Sequence, residues 1–176
     1  ATTTFQFTSG QTNNGGGNQT GQTAQVTLGG QTYQIGYSIT GGKLTKLSGD
    51  PTTSTLTASI TTTSACANAN DCVLTLQIPR TVMDAKDGSD GKSGKDQDFV
   101  VFVDSIQGVV MKDDLGATTR TIQIPFEQGT QTVEVVGTFM IPEFGPIAAI
   151  ILAIAVVGVI VATTKYTNKF NFFTKI

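Results

Sequence analysis

The chain has 176 residues, no His, no Trp and two Cys, and only 14% of its residues are charged, well below the ~25% typical of globular domains. Without His there is no Ser-His-Asp or Cys-His nucleophilic machinery and no imidazole metal site, and two thiols cannot complete a four-thiolate zinc or iron–sulfur site. A formal net charge of −2 provides no overall basic footprint for nucleic acid.

In chain order, the first predicted element is a short strand over residues 1–9, with Phe5 and Phe7 on one face. It opens on Ala and the small polar run ATTT, which fits a mature chain whose signal peptide has been removed. Residues 10–22 are a Gly/Asn/Gln-rich linker. Asn18-Gln19-Thr20 is an N-glycosylation sequon, so Asn18 is a candidate acceptor. A strand on such a tether suits donation to a neighbouring subunit through Phe5 and Phe7. Completing its own sheet is the commoner use.

Residues 23–141 read as eight to ten short strands of an all-β, antiparallel, immunoglobulin-like sandwich. The period-two rows are Tyr33, Ile35, Tyr37 and Ile39; Leu56, Ala58 and Ile60; Cys72, Leu74, Leu76 and Ile78; Ile122, Ile124 and Phe126; and Val133 and Val135. Phe99 to Val103 is continuously apolar and predicts a central strand covered on both faces. Breakers separate the runs at Gly29-Gly30, Gly41-Gly42, Gly49-Asp50-Pro51 and residues 127–129. Residues 79–85, PRTVMDA, are the best candidate for a helical turn. Cys66 and Cys72 close a short loop and predict a disulfide if the domain is exported. Thr52, Thr53, Thr55 and the run 61–63 are strand-edge threonines or O-glycan acceptors.

The stretch 84–98 holds Asp84, Asp87, Asp90, Asp96 and Asp98, and oxygen-rich loops can bind calcium. The spacing fails the EF-hand pattern, and Lys86, Lys92 and Lys95 compete for the carboxylates. A solvated loop is the expectation, with calcium the weaker alternative. Gly91-Lys92-Ser93 resembles the end of a phosphate-binding loop, but Lys86 stands where the earlier Gly is required. Asp113-Asp114 near a Gly reads as a turn, and Glu127 and Glu134 have no pocket signature. No carboxylate pair is placed for acid–base work, so neither enzyme activity nor a cofactor or resident metal is expected.

Residues 146–164, PIAAIILAIAVVGVIVATT, carry no charge. As a helix they span about 28 Å, near the ~30 Å of a hydrocarbon core, and predict a transmembrane segment. The tail 165–176 adds Lys165, Lys169 and Lys175 without an acid, whereas residues 1–145 hold eight Lys/Arg against thirteen Asp/Glu, a formal −5. This asymmetry places the tail in the cytoplasm and the β-domain outside. Tyr166, Phe170, Phe172 and Phe173 suit the inner interface. Ala149 and Ala153 form a small-xxx-small pair suited to helix packing, with Gly158 further along.

Just before the apolar span stand Pro142, Glu143, Phe144 and Gly145. Tetrapeptide, apolar helix and basic tail in this order resemble the PEFG C-terminal domain of surface proteins from ammonia-oxidising archaea (Thaumarchaeota). The body is similar too: a strand ending in Pro79-Arg80, the Asp84-Ala85-Lys86 turn, the acidic loop, and an apolar strand ending in Val103-Asp104. The closing strands 121–126 and 133–139 also fit. One departure is the continuation of the tail past Lys169. The resemblance implies an exported, membrane-anchored surface protein in which Pro142 to Gly145 are a processing signal for an archaeosortase-type enzyme. The expected function is therefore a non-catalytic structural or interaction subunit of an archaeal cell-envelope assembly. Its expected partners are the lipid bilayer, other envelope or membrane-complex subunits, or copies of itself. The alternative is an accessory subunit of a membrane enzyme complex such as archaeal ammonia monooxygenase. A solute- or carbohydrate-binding domain is the weaker third option, since three Tyr and no Trp make a thin aromatic site.

Overall fold

Strict alternation of apolar and polar side chains makes strands of most of the first unit, because period two puts every apolar side chain on one face of a pleated ribbon. The computed structural model describes residues 19–63, 66, 71–141 and 146–170. The chain divides into two units, Ala1–Pro142 and Glu143–Ile176.

In the first unit the strands are β1 (Gln19–Leu28), β2 (Gln31–Thr40), β3 (Gly42–Asp50), β4 (Thr55–Thr62), β5 (Val73–Pro79), β6 (Met83–Asp84), β7 (Val100–Val103), β8 (Ile106–Gln107), β9 (Lys112–Leu115), β10 (Thr119–Pro125), β11 (Thr132–Val136) and β12 (Phe139–Met140). Five form one sheet in the order β1-β2-β5-β10-β9, and five form a second in the order β3-β4-β11-β7-β8. β6 and β12 make a separate two-stranded ribbon. Every pairing is antiparallel.

One core joins the two sheets. The first contributes Ile35, Ile39, Leu74, Leu76, Ile78, Ile122 and Ile124; the second contributes Leu44, Leu47, Leu56, Ala58, Val133 and Val135. At about 25 cal/mol per Å² of apolar surface removed from water, such a core is the main stabilising term. Every apolar row expected from periodicity is buried except Tyr33, which is half-buried.

Turn chemistry fixes the hairpins. Leu28 faces Gln31 across Gly29-Gly30, whose φ values of 60° and 79° are those of a type I′ turn that matches strand twist. Val103 faces Ile106 across Asp104-Ser105, again with positive φ at both positions, 47° and 69°. Asp104 tolerates that conformation because its carboxylate accepts from the Thr132 N–H at 2.8 Å and the Gln131 N–H at 3.0 Å. The hairpin is thereby tied to the start of β11.

Several expectations are corrected. Twelve strands occur among the described residues, not eight to ten. β1 begins at Gln19, so the last four residues of the expected linker are strand. Ala24, Val26 and Leu28 bury in the core, but the Gln and Thr around them mask the pattern. The run Phe99 to Val103 is not covered on both faces: Val100 is exposed, and the strand lies one place in from the sheet edge. The segment 79–85 forms a turn and the short β6 rather than a helical turn. Asp113 and Asp114 lie within β9 and not in a turn.

The cysteines form the expected disulfide, Cys66–Cys72, with Cα atoms 5.4 Å apart. Both are buried. Gly41, at φ 75°, lies directly against the bridge, and a Cβ there would run into both sulfurs. The residue must be Gly for conformation and for space.

The second unit contains one helix, α1 (Pro146–Phe170), of 25 residues. It runs six residues beyond the expected span and takes Lys165, Tyr166 and Lys169 with it. On α1 the described side chains are those of residues 151–163, and all are exposed. Among the described residues no helix is long and apolar enough to cross a membrane.

Candidate interaction surface

Two features of the β-unit stand out chemically: an internal ion network beside the acidic loop, and an uncovered apolar lip at one sandwich edge.

The network grows from Arg120. Period two along β10 puts Arg120 in the same row as Ile122, Ile124 and Phe126, so it points into the core and is completely buried. A buried guanidinium is tolerated only when paired and hydrogen-bonded. Its Nε donates to Asp113 at 3.2 Å, and its Nη2 makes a short ion pair with the same carboxylate. Nη1 donates to Asp84 at 3.3 Å, and the Phe99 ring lies 4.2 Å from the guanidinium carbon. Asp84 in turn accepts from Arg80 at 2.8 Å. Arg80 also holds Asp96 through two bonds of 2.8 and 3.0 Å and donates from Nε to the Gly116 carbonyl at 2.8 Å. Lys86 completes the set, 2.6 Å from Asp96 and 3.8 Å from Asp84.

Three cations thus balance three carboxylates. No buried side-chain N or O among the described residues lacks a hydrogen-bond partner. Arg80 holds the Asp96 carboxyl well below the usual carboxylate range, with Lys86 adding to the effect. Asp96 in return raises the Arg80 guanidinium above its ordinary value.

The network staples the acidic loop to the sandwich, and the loop staples the exit strand. Thr138 accepts from the Lys86 N–H at 2.7 Å and donates to the Gly91 carbonyl at 2.9 Å. The Lys92 ammonium sits 4.4 Å over the Phe139 ring. Within the loop, the Asp90 carboxylate accepts from the N–H groups of Ser93 at 2.8 Å and Lys92 at 2.9 Å and from the Ser93 hydroxyl. These donors pull its pKa down to about 2. Asp87 accepts from the Lys95 N–H at 2.7 Å.

The five aspartates singled out as calcium candidates are therefore dispersed. Asp84 and Asp96 meet through Arg80 and Lys86, Asp87 and Asp90 serve backbone N–H groups, and Asp98 is exposed. Among the described residues, no group of three or more His, Cys, Asp or Glu side chains is placed to hold a metal ion. Sequence reasoning missed Arg80, Arg120 and Asp113 as members of one cluster. The available signal was Arg120 falling in the buried row of its strand.

The second feature is the lip. On the side where β1 lies against β3 the sandwich is closed. On the opposite side the edge strands are β9 and the two-residue β8. Leu115 faces Arg120 and Asp113 faces Ile122, so the odd-numbered row of β9 lies on the core side of its sheet. That row nevertheless stays half open: Met111 and Leu115 are each 53% exposed. Val109 at 71% and Ile106 at 74% extend the exposed surface around the bend from β8. The cause is local. β8 is too short to cover the inner face of β9. The lip runs into a cleft of about 310 Å³ lined by residues including Val103, Ile106, Gly108, Pro125 and Phe126. A second recess, at Ser59–Thr62 and Gly129–Thr132, is lined by threonines and backbone and holds no charged or catalytic side chain.

The other residues singled out in the sequence fall as follows. Phe5, Phe7 and Asn18, and the tetrapeptide Pro142, Glu143, Phe144 and Gly145, lie outside the described residues. So does the side chain of Ala149. Ala153 is exposed, and a Cβ built on Gly158 would meet no neighbour. No family model, no curated protein and no solved structure matches this chain.

Proposed function

We propose that this chain is a non-catalytic, membrane-anchored surface protein of the PEFG type. In this reading the β-unit faces outward and the basic tail lies in the cytoplasm. The chain serves as a structural or interaction subunit of an archaeal cell-envelope assembly. The observation that carries the reading is apolar surface left uncovered on each unit: the β8–β9 lip on one, and Ile151, Leu152, Ile154, Val156, Val157, Val159, Ile160 and Val161 on the other. A helix apolar all round is not stable in water by itself and needs lipid or partner helices. The uncharged run 146–164 is the sequence feature that supports the membrane reading. The disulfide fits an exported domain. The immunoglobulin-like description belongs to the same reading and rests on two antiparallel sheets around one core.

A second reading, an accessory subunit of a membrane enzyme complex such as ammonia monooxygenase, is favoured by one feature of α1. A Cβ built on Gly158 would meet no neighbour, which leaves room there for a partner helix to approach closely. Gentle detergent extraction of native membranes, with mass spectrometry of what co-migrates, separates the two. Recovery with itself or with surface-lattice proteins supports the envelope reading. Recovery in fixed ratio with polytopic enzyme subunits replaces it with the second. Protease applied to intact cells is expected to remove the β-unit, and full protection would reverse the orientation.

A further inference from the structure

We propose that the open edge of β9 is the acceptor for a donated strand, Thr4 to Thr8 of a second copy of this chain. The inference rests on the envelope reading in its self-assembling form and names the contact.

The acceptor is built for a strand of one polarity pattern. β9 pairs with β10 on one side and, among the described residues, with no strand on the other. Its free edge presents backbone N–H and C=O groups, the template for strand addition. Its inner row, Met111, Asp113 and Leu115, is apolar at both ends and half uncovered. Its outer row, Lys112 and Asp114, is polar.

The donor segment reads Thr4-Phe5-Gln6-Phe7-Thr8. Laid antiparallel beside β9, it sets Phe7 beside Met111 and Phe5 beside Asp113 in the inner row, with Leu115 a diagonal neighbour of Phe5. Gln6 then falls beside the charged outer row. Aromatic cross-strand neighbours of this kind are favourable pairs. Residues 1–18 carry no charged side chain, so nothing in the donor repels Asp113 or Asp114.

Register and reach favour a neighbouring copy as the donor. Gln19 pairs with Ile39, Ile39 with Leu74, and Leu74 with Ile124. Continuing the β9–β10 register by one residue sets Met111 across from Ile124. Gln19 and Met111 therefore lie in one row, at opposite edges of the same five-stranded sheet. For the chain's own segment to lie beside its own β9, it must cross five strand spacings, about 24 Å. That path also passes over the end of the sandwich holding the disulfide and the 126–130 turn. A neighbour placed head to tail brings its Gln19 beside this Met111 directly. The intervening residues 9–18 reach about 17 Å as a coil, ample for that short step. Donor and acceptor edges differ, so the contact is heterologous and propagates as a row rather than closing into a dimer.

The test uses the full chain in detergent or vesicles. Chains carrying Phe7→Cys are mixed with chains carrying Met111→Cys and oxidised. A disulfide-linked dimer between the two is expected, and none when Ser48→Cys, at the closed edge, replaces Met111→Cys. Phe5→Asp with Phe7→Asp, and separately Leu115→Asp, are each expected to weaken self-association at least tenfold with the β-unit's melting temperature unchanged. A crosslink confined within single chains bearing both cysteines would show own-chain closure and overturn the proposal. Self-association unaffected by the Phe5/Phe7 pair would overturn strand donation while leaving envelope assembly standing. A wild-type chain found only with polytopic enzyme subunits would overturn both.

Discussion

The two edges of the sandwich use the same residue types and meet different fates. At the closed edge Leu28, Leu44 and Leu47 are fully buried, because the long strands β1 and β3 cover each other. At the open edge Leu115, Met111 and Ile106 stay at least half exposed, although Leu115 and Met111 lie on the core side of their sheet. Cover, not composition, makes the difference: β3 has nine residues and β8 has two. Between the edges, Arg120 and its partners fill the part of the core nearest the open side with paired charge. The open edge is thus the place where the fold stops being self-sufficient.

The largest effect is expected at Arg120. Arg120→Met leaves Asp113 without its cation and weakens the hold on Asp84. Removing one partner of a buried ion pair costs about 3–5 kcal/mol. Denaturant unfolding should show the loss, and Arg120→Met with Asp113→Leu should recover much of it. A single variant as stable as wild type would mean that the network contributes nothing to the fold.

Leu47→Ala, at the closed edge, should cost about 2–5 kcal/mol through lost burial and a residual cavity. Leu115→Ala, at the open edge, should change stability by less than about 0.5 kcal/mol. Equal costs would erase the distinction between the edges. Between these values lies the disulfide. Replacing Cys66 and Cys72 together by Ala frees a short loop and should cost about 2 kcal/mol on the chain-entropy account. Thermal melts in the presence and absence of reductant provide the same comparison without mutation.

The sequence made the closed part of the molecule legible and the open part obscure, for a physical reason. Rows such as Leu74, Leu76 and Ile78 are buried on one face and solvated on the other, so alternation reports them directly. β1 was hidden because Gln and Thr, which suit a linker as well as a strand surface, surround its three buried residues. β8 and β9 were hidden because their apolar residues are exposed and the polar Asp113 shares the inner row with Leu115, which breaks the usual alternation. The acidic loop read as solvated for a related reason. Composition shows its five aspartates and three lysines, but not that Arg80, Arg120 and Asp113 converge on it from other strands. That convergence is a property of the sheet register.

The smallest expected effect tests whether this loop is built or merely solvated. Asp90 is a loop carboxylate held by two backbone N–H groups and a hydroxyl, and its pKa falls to about 2, against ~3.9 in an unfolded chain. A carboxylate with a lowered native pKa binds its proton more weakly when folded. Its contribution to stability is therefore complete above the unfolded value and fades as pH falls from about 4 towards 2. Asp96, lowered by Arg80 and Lys86, acts in the same direction. Carboxyl-carbon NMR titration should show Asp90 still ionised at pH 3. Asp90→Asn should flatten the acid limb of the stability profile slightly, leaving the neutral region and the open edge untouched. If Asp90 titrates near 3.9, the loop is a solvated tether. Stapling of the exit strand by Thr138 and Lys92 would then have to hold without it.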